Sequence, residues 1–106
     1  MNIFAIESSC DETAGAVVQD GVKEICSVVA SSKEFHEKTG GIVPEVAARK
    51  QVESIIPVMD ETLKKFTEAG FKDEKSIDAI AVTTGPGLLG SLLVGVEAAK
   101  ALSVAW

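Results

Sequence analysis

Six polar residues in a row, Ser8-Ser9-Cys10-Asp11-Glu12-Thr13, separate two apolar runs near the start of the chain. A minimal hairpin needs two residues at such a place, so the surplus is available for chemistry. The hydroxyls and N–H groups of Ser8, Ser9 and Cys10 could surround a phosphate oxygen, while the Asp11 and Glu12 carboxylates could accept a proton or hold a cation. The competing reading is a solvated loop whose Ser and Asp side chains bond their own backbone.

A second candidate is Gly85-Pro86-Gly87-Leu88-Leu89-Gly90, a literal G-x-G-x-x-G between an expected strand and an expected helix. That is the setting of a dinucleotide site. Pro86 withholds one N–H from the turn, and the acidic ribose partner expected about 20 residues on would fall past Trp106. A Walker A loop is excluded because Ser91, with no Lys, follows Gly90. Two readings stay open: Gly85, Pro86 and Gly87 hold a phosphate at a helix N-terminus, or the glycines let strand and helix approach closely.

Beyond that loop, Gly87, Ser91, Gly95, Ala99 and Ser103 place small residues at i, i+4 spacing along one helix face. Such a face can press onto its own sheet or onto a helix of another subunit. His36 stands among Glu34 and Glu37 with no second His in the chain, too few groups for a metal set, so no metal residue is assigned. Cys10 and Cys26 form neither a disulfide framework nor a zinc site, which points to a reducing, cytoplasmic setting.

The elements that must position these residues follow from their periods. Asn2 to Ile6 and Ala14 to Val18 are apolar runs that both suit interior strands covered on both faces. Asp20-Gly21 is a type I′ turn pair, so Val22 to Ala30 should return antiparallel and complete a three-strand meander. Ser31 to Gly41 reads as a loop. Pro44 opens a helix after a poor cap, Val43, and Gly70 closes it. Val52, Ile55, Ile56, Met59, Leu63 and Phe66 form its expected core stripe, which breaks between Ala47 and Val52, and Pro57 should kink it. Asp78 to Thr83 is a further strand, and Leu88 onward a second helix. The class is α/β.

At 106 residues the chain holds one core, domains being roughly 100–150 residues. With 46% hydrophobic and 25% charged residues, disordered, collagenous and coiled-coil classes drop out. The net charge of −6 has the wrong sign for gripping nucleic acid. Leu88 to Trp106, the longest apolar stretch, carries Glu97 and Lys100 and fails as a membrane span.

Three blocks in order carry a family resemblance: Ile6 to Thr13; His36 with Gly40-Gly41-Ile42-Val43-Pro44-Glu45-Val46-Ala47-Ala48-Arg49; and Thr84 to Gly95. Together they resemble the tRNA adenosine threonylcarbamoyltransferase family, formerly described as O-sialoglycoprotein endopeptidase or glycoprotease. The resemblance implies the actin/Hsp70/sugar-kinase-like ATPase (ribonuclease H-like) fold, with residues 1–106 as part of the N-terminal lobe. It implies transfer of threonylcarbamoyl from threonylcarbamoyl-AMP to the adenosine beside the anticodon of ANN-decoding tRNAs, with Asp11 and Glu12 at the reacting end of the first hairpin.

The family's His-x-x-x-His motif for iron or zinc and its second, nucleotide-clasping lobe come later than Trp106. The chain therefore looks like the N-terminal part of a longer protein, inactive by itself. Implied partners are a paralogous scaffold subunit and a P-loop ATPase, with tRNA as substrate of the complex. The lobe's two helices would form the subunit contact through Val52, Ile55, Ile56 and Met59 and through Gly87, Ser91, Gly95 and Ala99. As a fragment the chain would form a homodimer there. Gln51 departs from the family, many members of which have His at that place. A dinucleotide-binding enzyme and a non-catalytic scaffold remain as other classes.

Overall fold

The computed structural model describes residues 1–31 and 40–106, so His36 and most of the expected Ser31 to Gly41 loop lie outside the described residues. Strands β1 (Asn2–Glu7), β2 (Glu12–Gln19) and β3 (Lys23–Ser31) are followed by helix α1 (Pro44–Glu68), a 3-10 turn at Glu74–Ser76, strand β4 (Ala79–Val82) and helix α2 (Leu89–Ala105). The strands make one mixed sheet in the order β3-β2-β1-β4. β2 pairs antiparallel with both β1 and β3, whereas β4 lies parallel to β1.

Asp20 (φ 55°) and Gly21 (φ 74°) both take the left-handed backbone that a type I′ turn requires, and the Val22 N–H closes the turn on the Gln19 carbonyl at 3.2 Å. Past the turn the register slips. Val17 faces Cys26 and Val18 faces Glu24, so Ile25 is the extra residue of a bulge.

Strand alternation sends Asn2, Phe4 and Ile6 of β1 and Thr13, Gly15 and Val17 of β2 into the interior. Phe4, Ile6 and Val17 meet Ile55, Met59 and Phe66 of α1 and Ala99 of α2 in one core. Both helices thus cover the same face of the sheet. Ile3, Ala5 and Glu7 on the opposite face stay partly exposed, which corrects the expectation of a β1 covered on both faces.

α1 starts at Pro44 without a side-chain cap, runs through Pro57, and ends before Gly70, whose φ of 107° carries the chain out of the helix. Its buried row is Ala47, Gln51, Ile55, Val58, Met59, Thr62 and Phe66. Val52 and Ile56, expected in the core stripe, are 61% and 65% exposed. The apparent break in the stripe has a physical reason: the residue that continues the row from Ala47 at i+4 is polar, Gln51. Phe71, just past the helix, stacks on Phe66 with ring centroids 4.4 Å apart.

Candidate active site

Because β1 and β4 are parallel neighbours, their carboxyl ends open at the same edge of the sheet. The β1–β2 tip therefore lies beside the loop that leads from β4 into α2, the crevice position where open α/β sheets place ligands. The tip is shorter than the sequence implies. Glu12 and Thr13 already belong to β2, with Glu12 opposite Ser31, and only residues 8–11 connect the strands.

Much of the fastening of this tip comes from groups aimed inward. Ser8 continues the alternation of Phe4 and Ile6 and is fully buried. Its hydroxyl donates to the Ser91 carbonyl at 2.7 Å and accepts from the Gly95 N–H at 3.0 Å. It thus sits at an α2 rung whose two ends a regular helix would join to each other. The Leu88 N–H donates to the Ser9 carbonyl at 2.7 Å, and the Ser91 hydroxyl to the Cys10 carbonyl at 3.1 Å. From α1, the Gln51 amide donates to the Ser8 carbonyl at 3.0 Å and to the Glu12 carbonyl at 2.9 Å.

Glu7 ties the tip to the neighbouring loop. One carboxylate oxygen accepts from the Ser9 N–H and the other from the Thr83 hydroxyl at 2.6 Å. Partial burial pushes this carboxyl upward, but the hydrogen bonds from Ser9 and Thr83 outweigh it and hold Glu7 below the usual glutamate range.

These contacts bear on several of the expected roles. Ser8 cannot serve a phosphate, because its hydroxyl is buried and engaged by α2 at both its donor and its acceptor side. Ser9 and Cys10 are half-buried, with their carbonyls turned to α2, while Gly85, Pro86 and Gly87 are exposed around a cis Gly85-Pro86 bond. The Leu88 N–H at the start of α2 is spent on Ser9. A Cβ at Gly87 would come within 2.5 Å of the Ser9 carbonyl oxygen, so that glycine serves a protein-to-protein approach. The middle of the small-residue stripe faces the sheet: Ser91 is fully buried, Ala99 is in the core, and a Cβ at Gly95 would lie 2.5 Å from Ser8 Oγ, while Gly87 and Ser103 are exposed.

Asp11 and Glu12 stand at the outward side of the tip, Asp11 half-buried and Glu12 exposed. Gln51, Glu7 and Thr83 were not singled out as site residues, although the i, i+4 row through Ala47 and Ile55 marks Gln51 as inward-facing. Among the described residues no three His, Cys, Asp or Glu side chains come together as a metal would require. No described helix is long and apolar enough to cross a membrane.

The family model for tRNA N6-adenosine threonylcarbamoyltransferase (TsaD) matches residues 23–106. The chain belongs to this family. A threonylcarbamoyltransferase of Anaeromyxobacter sp. (strain Fw109-5) is 52% identical over 106 residues, covering all of this chain and 31% of that protein. The one from Bacillus subtilis (strain 168) is 54% identical over 106 residues, covering 30% of that protein. The chain thus spans about a third or less of the length of these transferases. In three dimensions it is similar to YeaZ from Pseudomonas aeruginosa, with a TM-score of 0.67 at 19% identity over 99% of this chain and 40% of that one, a likeness of fold.

Proposed function

We propose that this chain supplies part of the N-terminal lobe of an ATPase-like transferase that moves threonylcarbamoyl from threonylcarbamoyl-AMP to the adenosine adjacent to the anticodon of ANN-decoding tRNAs. The observation that carries the reading is identity above 50% with threonylcarbamoyltransferases across the whole chain, tip included. The stitched tip supports it, because a carboxylate that is to take the amine proton must be held still beside the reacting atoms.

In this reading the adenosine amine attacks the carbamoyl carbon, the new N–C bond forms as the C–O bond to the phosphate breaks, and AMP leaves. Asp11 or Glu12 orients the amine and takes its proton. Iron or zinc, ATP and the second lobe are assigned to residues beyond this chain. tRNA is held by the complex and not by this acidic lobe, whose setting is the cytoplasm.

A paralogous scaffold and a P-loop ATPase are the proposed protein partners. The scaffold would dock on the open seam between α1 and α2, a groove of about 550 Å³ lined by Val52, Ile55, Ile56 and Met59 on one side and Leu93 and Val94 on the other. A second copy of this chain would substitute for it in the isolated lobe.

The direct test uses the whole transferase with its partners. Asp11→Ala or Glu12→Ala should lower tRNA modification by about 100-fold or more, the scale of a lost acid or base. Full activity in both variants would remove the tip from the mechanism.

A further inference from the structure

Gln51 is 1% exposed, yet it is an amide in a row of core positions. Its two N–H groups reach two backbone carbonyls four residues apart, those of Ser8 and Glu12, which flank the residues 9–11 of the tip. Its own oxygen has no hydrogen-bond partner. Both acceptors are carbonyls, so the amide has one orientation that satisfies them. Burying an amide with its oxygen unmatched is unfavourable, and what offsets it here is the pair of bonds to the tip.

We propose that Gln51 is a positioning residue for the transfer: by bridging the carbonyls of Ser8 and Glu12 it fixes the span of the tip and thereby the aim of the Asp11 and Glu12 carboxylates. The inference rests on the role given to those carboxylates above. The middle of the tip is held from α2, through Leu88 and Ser91, whereas Gln51 closes its base from α1. Two carbonyl oxygens that share one donor group repel each other once that donor is gone. The tip then widens at its base, and a small displacement of a reacting group costs on the order of 10- to 100-fold in rate.

The test measures kcat and KM for threonylcarbamoyl transfer in the whole transferase with its partner proteins. Gln51→Met, similar in length and without a donor, should lower kcat about 10-fold or more while KM for tRNA changes by less than about 2-fold. Gln51→His, which returns one N–H at similar reach, should recover most of the loss. The double variant Gln51→Met with Asp11→Ala should lose less than the product of the two single losses, because Gln51 acts through the tip carboxylates of which Asp11 is one. If Gln51→Met does not fold, Gln51→Asn, which draws the amide back by one methylene, carries the same comparison.

Wild-type kcat in Gln51→Met beside an inactive Asp11→Ala or Glu12→Ala would overturn the positioning role and leave the carboxylate reading intact. A loss of kcat that disappears when corrected for folded fraction would overturn it too. Full activity of both carboxylate variants would instead remove the tip reading, and the role of Gln51 with it.

Discussion

The two ends of β2 are both hairpin connections, and they are built on opposite principles. At the Asp20-Gly21 end, two residues in left-handed backbone turn the chain, and a Cβ at Gly21 would meet nothing within 4 Å. The fastenings there stay within the hairpin and its neighbouring strand end: the Val22 N–H to Gln19, the Asp20 N–H to the Met1 carbonyl, and the exposed amino terminus on the Asp20 carboxylate. At the tip, the carbonyls of Ser8, Ser9, Cys10 and Glu12 are each taken by a donor from α1 or α2. A turn that only reverses the chain needs backbone geometry alone. A turn that presents side chains needs the rest of the fold to hold it.

The largest effect that would break this contrast is Gly95→Leu. A side chain there displaces the Ser8 hydroxyl and separates α2 from β1, at about 3 kcal/mol or more, a fall in melting temperature on the order of 15 °C. Leu93→Glu is the matched control. Leu93 lies on the outer seam and is 48% exposed, so its replacement should leave the melting temperature nearly unchanged while abolishing the proposed self-association in sedimentation. A stable Gly95→Leu, or a Leu93→Glu that associates as wild type does, would contradict the division of α2 into a sheet face and a partner face.

Gly21→Ala comes next. Its penalty is confined to positive φ and should be about 1 kcal/mol in thermal unfolding, with transfer activity of the whole protein unaltered. Activity lost in proportion would mean that the two hairpin ends are coupled after all.

The smallest effect concerns Glu7. Its folded-state pKa lies below the ordinary value, so its contribution is complete above the ordinary glutamate pKa and fades as pH falls through the lower, folded one. Solvent screens a partly exposed carboxylate, so the loss should be slight. Glu7→Gln should flatten that acid-side portion of a melting-temperature profile; an unchanged profile would show that the links to Ser9 and Thr83 do not strengthen on ionisation.

Much of the scaffold is written in local signals. Asp20-Gly21 encodes its turn, Pro44 and Gly70 bracket α1, and the apolar runs mark β1 and β2 to within two residues. The three sequence blocks carried the family. The inner side of the site was harder to read, because Ser8, Ser91 and Gln51 are polar types that a sequence offers as ligands or surface, whereas here they replace backbone partners inside the fold. Ser8 could have been recognised by continuing the alternation of Phe4 and Ile6 by one more step. Gly95 and Ala99 gave no such signal, since a small-residue stripe looks the same whether a sheet or a foreign helix lies against it.

The Ser8 hydroxyl lodged at the Ser91–Gly95 rung also constrains the order in which this protein can change. With Ser8 in place, a side chain at position 95 must push the hydroxyl off the rung, for an added Cβ would lie 2.5 Å from its oxygen. With Ser8 reduced to alanine the space opens, but the rung loses the group that lies between its two ends. The less costly order removes the hydroxyl before a side chain enters position 95, so a change at either site alters what the other can tolerate.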